Sequence, residues 1–161
     1  MTAPDPNVTQ PWLEYYSEWT KPPLTYGDRT LPQMYEENLS RNANKPATRF
    51  FGRSLTYAEL DKDIRRAAAG LKAFGVRPGD RVTIMLPNCP QHVVAYYAVH
   101  MLGAVVVEHN PLYTANELRP QFKDHAARIA IVWDKTASTL EQLRGDTPLE
   151  TLVSVNMTKA M

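Results

Sequence analysis

The chain has 161 residues, 43% of them apolar, and 18 lysines and arginines against 17 acidic residues give a net charge of +1. That length suits one domain with a sizeable core, since single domains most often run about 100–150 residues. The balanced charge, with no basic stripe or tail, excludes a nucleic-acid role, and the single Cys89 excludes an internal disulfide and fits a reducing compartment.

The first 28 residues form a proline- and aromatic-rich arm, and residues 29–161 form the domain proper. The opening MTAPDPNVTQPW has neither a basic stretch nor an apolar run, so no secretory signal is expected and the chain is expected in the cytoplasm. Trp12, Tyr15, Tyr16 and Trp19 fall at helical spacing, followed by Tyr26. They predict a short element packed on the domain surface. The sharper alternative is a docking arm for a second copy in a homodimer or for the periphery of a membrane. No lysine or arginine lies between Trp12 and Trp19, as a membrane-surface helix would require, and this favours packing.

Thr30 with Gln33 reads as a capping box, with Pro32 in the first turn, and opens a helix to about Asn42. Two short strands, 48–51 and 54–57, joined by a Gly52-Arg53 turn, predict a hairpin. Thr56 with Glu59 opens the next helix. Its apolar stripe runs through Leu60, Ile64, Ala67, Ala68, Leu71 and Phe74 to a stop at Gly75 and Pro78.

A buried strand is expected at 81–86, then an Asn88 cap with Gln91 as its box partner and a helix to about Leu102. The run Val93–Val107 is nearly all apolar but shorter than the ~20 residues a membrane span needs. With Gly103 as a break it reads as buried helix, turn and buried strand. In VVVEHNPLYTANEL, residues 105–118, three valines make the strand, and Glu108, His109 and Asn110 bring the chain back to the surface. Pro111 biases Asn110 away from helix, and Thr114 with Glu117 boxes a helix ending near Ala126. A strand at 129–133 follows, then a helix from Asp134 or Thr136 to Arg144, closed by Gly145, and a last strand at 152–155. Four apolar strands about 23 residues apart, with helices between them, predict an α/β fold. Its core is a parallel sheet of right-handed βαβ units over residues 80–156, preceded by a helix and a β-hairpin.

The usual phosphate-binding chemistry of this fold class is missing. No GxGxxG and no GxxxxGK[ST] occurs, and the first parallel strand runs into Pro87-Asn88-Cys89-Pro90 rather than a glycine-rich loop. This excludes a self-sufficient dinucleotide domain or P-loop NTPase. His92 and His100, about two turns apart on one helix, have no cysteine or carboxylate at ligand spacing, so no metal site is expected. His125 stands apart from them, and no serine lies in a nucleophile-elbow context. Glu108-His109, at a strand end, is the position best placed to meet a ligand. Cys89 reads as a small buried hydrophobe rather than a reactive thiol. No residue of the chain is assigned a catalytic, cofactor-binding or metal-binding role.

The stretch GAVVVEHNPLYTANEL, Gly103 to Leu118, resembles the early signature of the adenylate-forming (AMP-binding) enzymes, in the version typical of long-chain fatty-acid–CoA ligases. Leu55-Thr56-Tyr57-Ala58-Glu59-Leu60 is similar to the first core motif of that superfamily. Pro78-Gly79-Asp80-Arg81-Val82 and Leu86-Pro87-Asn88 match its wording around the first parallel strand. The resemblance runs from about Leu31 to Val155. It implies that residues 29–161 are an incomplete part of the larger N-terminal domain of an acyl-CoA synthetase. The parent would use ATP, Mg2+ and CoA to convert a fatty acid to its CoA thioester through an acyl-adenylate, releasing pyrophosphate and AMP. The family's phosphate-binding loop, acyl-pocket motif, ribose-binding aspartate, hinge and catalytic lysine do not occur in this sequence. The chain alone is therefore expected to bind no cofactor and to act as inactive scaffold, with the rest of the ligase polypeptide as its partner. One departure stands out: many relatives carry a proline soon after the valine run, whereas Glu108 and His109 here precede Asn110-Pro111. The alternative is a stand-alone flavodoxin-like interaction or regulatory module. A receiver-type version would want clustered acids at its strand ends, where only Glu108 and Asp134 stand, on different strands.

Overall fold

The capping boxes and apolar periods set most of the architecture. In a computed structural model, residues 11–20 and 27–160 are described, and the chain divides into a unit of residues 1–30 and a unit of residues 31–161. In the first unit, Pro11–Tyr15 forms a short 3₁₀ helix, and Trp12, Tyr15, Tyr16 and Trp19 are all exposed. Tyr26 lies outside the described residues.

The second unit begins with helix α1 (Leu31–Asn42), which buries Tyr35. Strands β1 (Pro46–Phe50) and β2 (Arg53–Thr56) pair antiparallel, with Phe50 opposite Arg53. The turn is therefore Phe51-Gly52 and not the expected Gly52-Arg53. Both residues take positive φ, 45° and 80°, because a two-residue hairpin loop matches the twist of its strands only with a left-handed backbone.

Helix α2 (Tyr57–Ala73) starts in the expected box: the Thr56 amide donates to Glu59 Oε2 at 2.8 Å and the Glu59 amide to Thr56 Oγ1 at 3.2 Å. Leu60, Ile64, Ala68 and Leu71 are buried, Ala67 is half-buried, and Phe74 is 59% exposed. Phe74 thus falls off the core stripe. It is the C-cap residue and stands at the rim of an apolar groove with Ala67, Leu71, Val94, Ile131 and Val153.

Four parallel strands follow: β3 (Arg81–Met85), β4 (Val105–Glu108), β5 (Ile129–Trp133) and β6 (Thr151–Val155), in spatial order β4-β3-β5-β6. Helix α3 (Pro90–Met101) carries the chain from β3 outward to β4, and α4 (Ala115–His125) brings it back across β3 to β5. Successive crossovers in opposite directions put their helices on opposite faces. One core joins α2 and α3 to Val82, Ile84, Ile129 and Ile131, and the other joins α4 and α5 (Ala137–Glu141) to Met85, Ala130 and Val132. The strands alternate residue by residue between the two cores, as period 2 demands.

Three local expectations change. The N-cap of α3 is Cys89, not Asn88, and makes no side-chain cap bond; Pro90 fills the first helical position. A residue before proline is held extended, and Cys89 has φ −152° and ψ 163°, the backbone an N-cap needs. Helix α5 ends at Glu141 rather than Arg144, since the Leu143 and Arg144 amides return to the Leu140 and Glu141 carbonyls in tighter turns. His109 turns inward instead of reaching the surface and is 8% exposed. The break at Gly103 is as expected, with φ 68° and so little room that a Cβ there would meet Pro78 Cβ at 3.3 Å. No helix among the described residues is long and apolar enough to cross a membrane.

Candidate functional site

In open parallel sheets, ligands sit outside the carboxyl ends of the strands where the strand order reverses. Here that edge is formed by residues 86–89 after β3, 109–114 after β4, Asp134 after β5 and Asn156 after β6.

After β3 the chain offers no phosphate cradle. Leu86 and Cys89 are buried, and burial pushes the Cys89 thiol up, away from the thiolate a nucleophile requires. Across the edge runs a brace of neutral and charged polar groups. Gln91 Nε2 donates to the Asn156 carbonyl at 3.4 Å, and Asn156 Nδ2 donates to Asp134 Oδ2 at 2.8 Å. Asn156 Oδ1 in turn accepts from the Thr158 amide and starts the final 3₁₀ turn (Met157–Ala160).

The end of β4 is held from both layers. Glu108 ends β4 and His109 follows it with its amide donating to the Ile84 carbonyl, so the alternation continues and their side chains leave on opposite faces. Glu108 takes His92 of α3, with His92 Nε2 and Glu108 Oε1 2.9 Å apart. His109 takes His125 at the end of α4, with their Nε2 atoms 3.1 Å apart. The His109 ring stacks on Phe122 at 5.5 Å, and Phe122 meets the His125 ring edge-on at 4.7 Å. Burial holds the His109 imidazole below its usual range, partly offset by a hydrogen bond with the Gln121 side chain. His125 is pushed down to about 4, by burial first and then by His109, with Asp124 pulling the other way and Arg81 adding the smallest downward push. Beyond this strand end, Asn110 Oδ1 accepts from the Leu112 amide, and the Thr114–Glu117 box forms as expected, at 2.8 Å and 3.4 Å. Leu112 is left 79% exposed on the outer turn.

The remaining histidine, His100, packs edge-on against Tyr96 at 4.6 Å, and burial alone lowers its imidazole. No three His, Cys, Asp or Glu side chains converge on a metal position among the described residues. The edge therefore orients a loop and ties it down.

Residues 35–160 match the AMP-binding enzyme family. The chain belongs to that family. It is 36% identical to the long-chain-fatty-acid–CoA ligase of Bacillus subtilis over 83% of its own length and 26% of that relative. With 4-coumarate–CoA ligase 4 of Arabidopsis thaliana it shares 41% identity over 59% of its length and 17% of the relative's. Its fold superposes on the anthranilate CoA ligase AuaEII, solved in complex with anthranoyl-AMP, with a TM-score of 0.74, 28% identity, 83% of this chain and 25% of that one. A long-chain-fatty-acid–CoA ligase of Archaeoglobus fulgidus superposes equally well, TM-score 0.74, at 22% identity over 85% of this chain and 30% of that one. The chain thus spans about a quarter of the length of the AMP-binding relatives it matches.

Within this AMP-binding segment, LTYAEL is a strand end, a helix cap and the first core leucine of α2, a sufficient structural reason for its wording. The sequence alone missed both imidazole contacts. Each pair is separated by 16 residues and bridges two elements, so spacing along one helix carries no trace of it.

Proposed function

We propose that this chain is the N-terminal scaffold segment of an ATP-dependent acyl-CoA ligase of the long-chain fatty-acid type, and that it performs no chemistry alone. The observation that carries the proposal is the match over residues 35–160 to a quarter of the ligases' length, with no phosphate-binding loop on the carboxyl edge of its sheet. In the parent reaction ATP and a fatty acid give an acyl-adenylate and pyrophosphate, and coenzyme A then displaces AMP to form the thioester. Charge developing on the phosphoryl oxygens is met by electrostatic stabilisation, which in this proposal comes from Mg2+ and from residues of the remaining polypeptide. None of residues 11–20 and 27–160 is assigned a catalytic, cofactor or metal role.

The partner in this proposal is the rest of the ligase chain, acting in the cytoplasm, with fatty acid, ATP and CoA as substrates of the whole. The open groove at Phe74, Val94 and Val153 is the face that receives it. The exposed rings of Trp12, Tyr15, Tyr16 and Trp19 offer a contact for a second copy. Glu14 and Glu18 lie among them without a cation, which weighs against an anionic membrane face. The regulatory-module alternative loses its acidic site, because Glu108 is engaged by His92 and Asp134 by Asn156.

A chimera tests the proposal: the matching segment of the Bacillus subtilis ligase is replaced by residues 31–160 of this chain. The expected result is retained palmitate-dependent pyrophosphate exchange. A folded chimera with no exchange overturns it.

A further inference from the structure

The His109–His125 contact has a proton arrangement that geometry fixes. His125 Nδ1 accepts the Ala127 amide at 3.0 Å, so that nitrogen carries no proton. Neutral His125 must therefore hold its proton on Nε2, which faces His109 Nε2 at 3.1 Å and donates to it. His109 Nε2 is then the acceptor, and the His109 proton sits on Nδ1. Each imidazole has one correct tautomer, set by its neighbour.

We propose that the His109–His125 pair is an acid-releasable clamp on the β4–α4 loop, closed only while both rings are uncharged. An added proton has two places to go, and each removes a bond. On His125 Nδ1 it confronts the Ala127 N–H; on His109 Nε2 it confronts the His125 N–H. The surroundings oppose the charge as well. Phe122 lies against both rings, and Arg81 at the start of β3 repels a cation on His125. Asp124 and the Gln121 side chain, both on α4, are the groups that favour it, and burial outweighs them.

Protonation of the clamp is therefore coupled to opening. The rings of an opened loop regain ordinary basicity, near the free-imidazole value of 6.5, while His125 in the closed clamp stays near 4. Between those limits the open form binds the extra proton and the closed form does not. Through the His125 proton alone, the opening equilibrium consequently rises about tenfold for each unit of pH lost in that window. The other tether, His92 to Glu108 at 2.9 Å, ties the strand end to α3 and shares no atom with the clamp. Acid thus frees the α4 side of the strand end. What is released is the turn that presents Leu112 at the carboxyl edge of the sheet. This inference rests on the side-chain geometry of this chain and stands independently of the ligase proposal.

Nuclear magnetic resonance of the 161-residue chain tests it between about pH 7.5 and pH 4.5, across the free-imidazole range. Nitrogen shifts at the upper limit are expected to show His125 protonated at Nε2 and His109 at Nδ1. On acidification, amide exchange at Leu112–Thr114 and Ala127, corrected for intrinsic rates, is expected to accelerate about tenfold per pH unit while β3 amides stay protected. The variant His125→Phe, which keeps a ring against Phe122, should exchange rapidly in this loop at every pH, and His92→Gln should keep the pH response. His125 protonated at Nδ1 at neutral pH overturns the clamp. So does a loop indifferent to pH, or a loss of β3 and loop protection together at one pH.

Discussion

His92 Nε2 stands 2.9 Å from Glu108 Oε1 and ties the first turn of α3 to the last residue of β4. With the Glu108 side chain 48% exposed, solvent screens the pair and its worth is small. A double-mutant cycle of His92→Ala and Glu108→Ala, followed by urea unfolding, should return a coupling of about 0.5 kcal/mol that shrinks in high salt. Zero coupling at low salt would remove this tether from the description of the loop.

Thr83 lies in the middle of β3, fully buried, with an Oγ1 that has no hydrogen-bond partner among the described residues. A buried hydroxyl in that state costs its desolvation without return. Thr83→Val keeps the branched shape and removes the orphan, so it should raise unfolding stability by about 1 kcal/mol. A destabilised variant would mean that the hydroxyl has a partner such as an ordered water.

Phe122 is fully buried and packs on both imidazoles as well as in the α4–α5 core. Phe122→Ala should cost about 3–5 kcal/mol, the range for deleting a buried ring. Phe122→Leu should cost less, yet it should still alter the His109 ring resonances. Equal costs for the two variants would show that the site collapses around the gap.

The two capping boxes respond to acid with a definite sign. Hydrogen bonds from the Thr56 and Thr114 amides hold the Glu59 and Glu117 carboxyls below their usual value of 4.5. A group whose folded value is depressed stabilises the fold above its unfolded value and loses that contribution as pH falls through the folded one. Thermal melts of Glu117→Gln against the parent chain should therefore differ at neutral pH and converge below the carboxylate range. Separately, Thr114→Ala should cost about 1 kcal/mol as a lost N-cap. A difference for Glu117→Gln that persists at low pH would contradict the sign.

What the sequence displays and what it conceals follow from range. Boxes at Thr56–Glu59 and Thr114–Glu117, the breaks at Gly75 and Gly103, and the apolar strands are set by neighbours a few residues apart. Helix positions and the parallel sheet were legible for that reason. The inward turn of His109 was not, because burial of a polar ring depends on an imidazole arriving from the far end of α4. Phe74 misled in the opposite direction: its spacing extends the α2 stripe, but at that position the stripe meets the rim of an open groove beside Val153 and Val155 of β6. The Cys89 cap was hidden by Asn88, a better capper by side chain that lost to the backbone imposed by Pro90.

The groove at Phe74 makes a prediction of its own. Exposed apolar surface beside the edge strand β6 should drive self-association of the isolated chain. In sedimentation, Phe74→Asp should lower the associated fraction at equal concentration while leaving the far-ultraviolet spectrum intact. Unchanged association would move the sticky surface elsewhere.

Pyrophosphate exchange with palmitate and ATP on the purified 161-residue chain bears most directly on the claim that these residues frame a site without performing its chemistry. Exchange at background level is the predicted result. Turnover well above background, abolished by a substitution within residues 31–160, would contradict it.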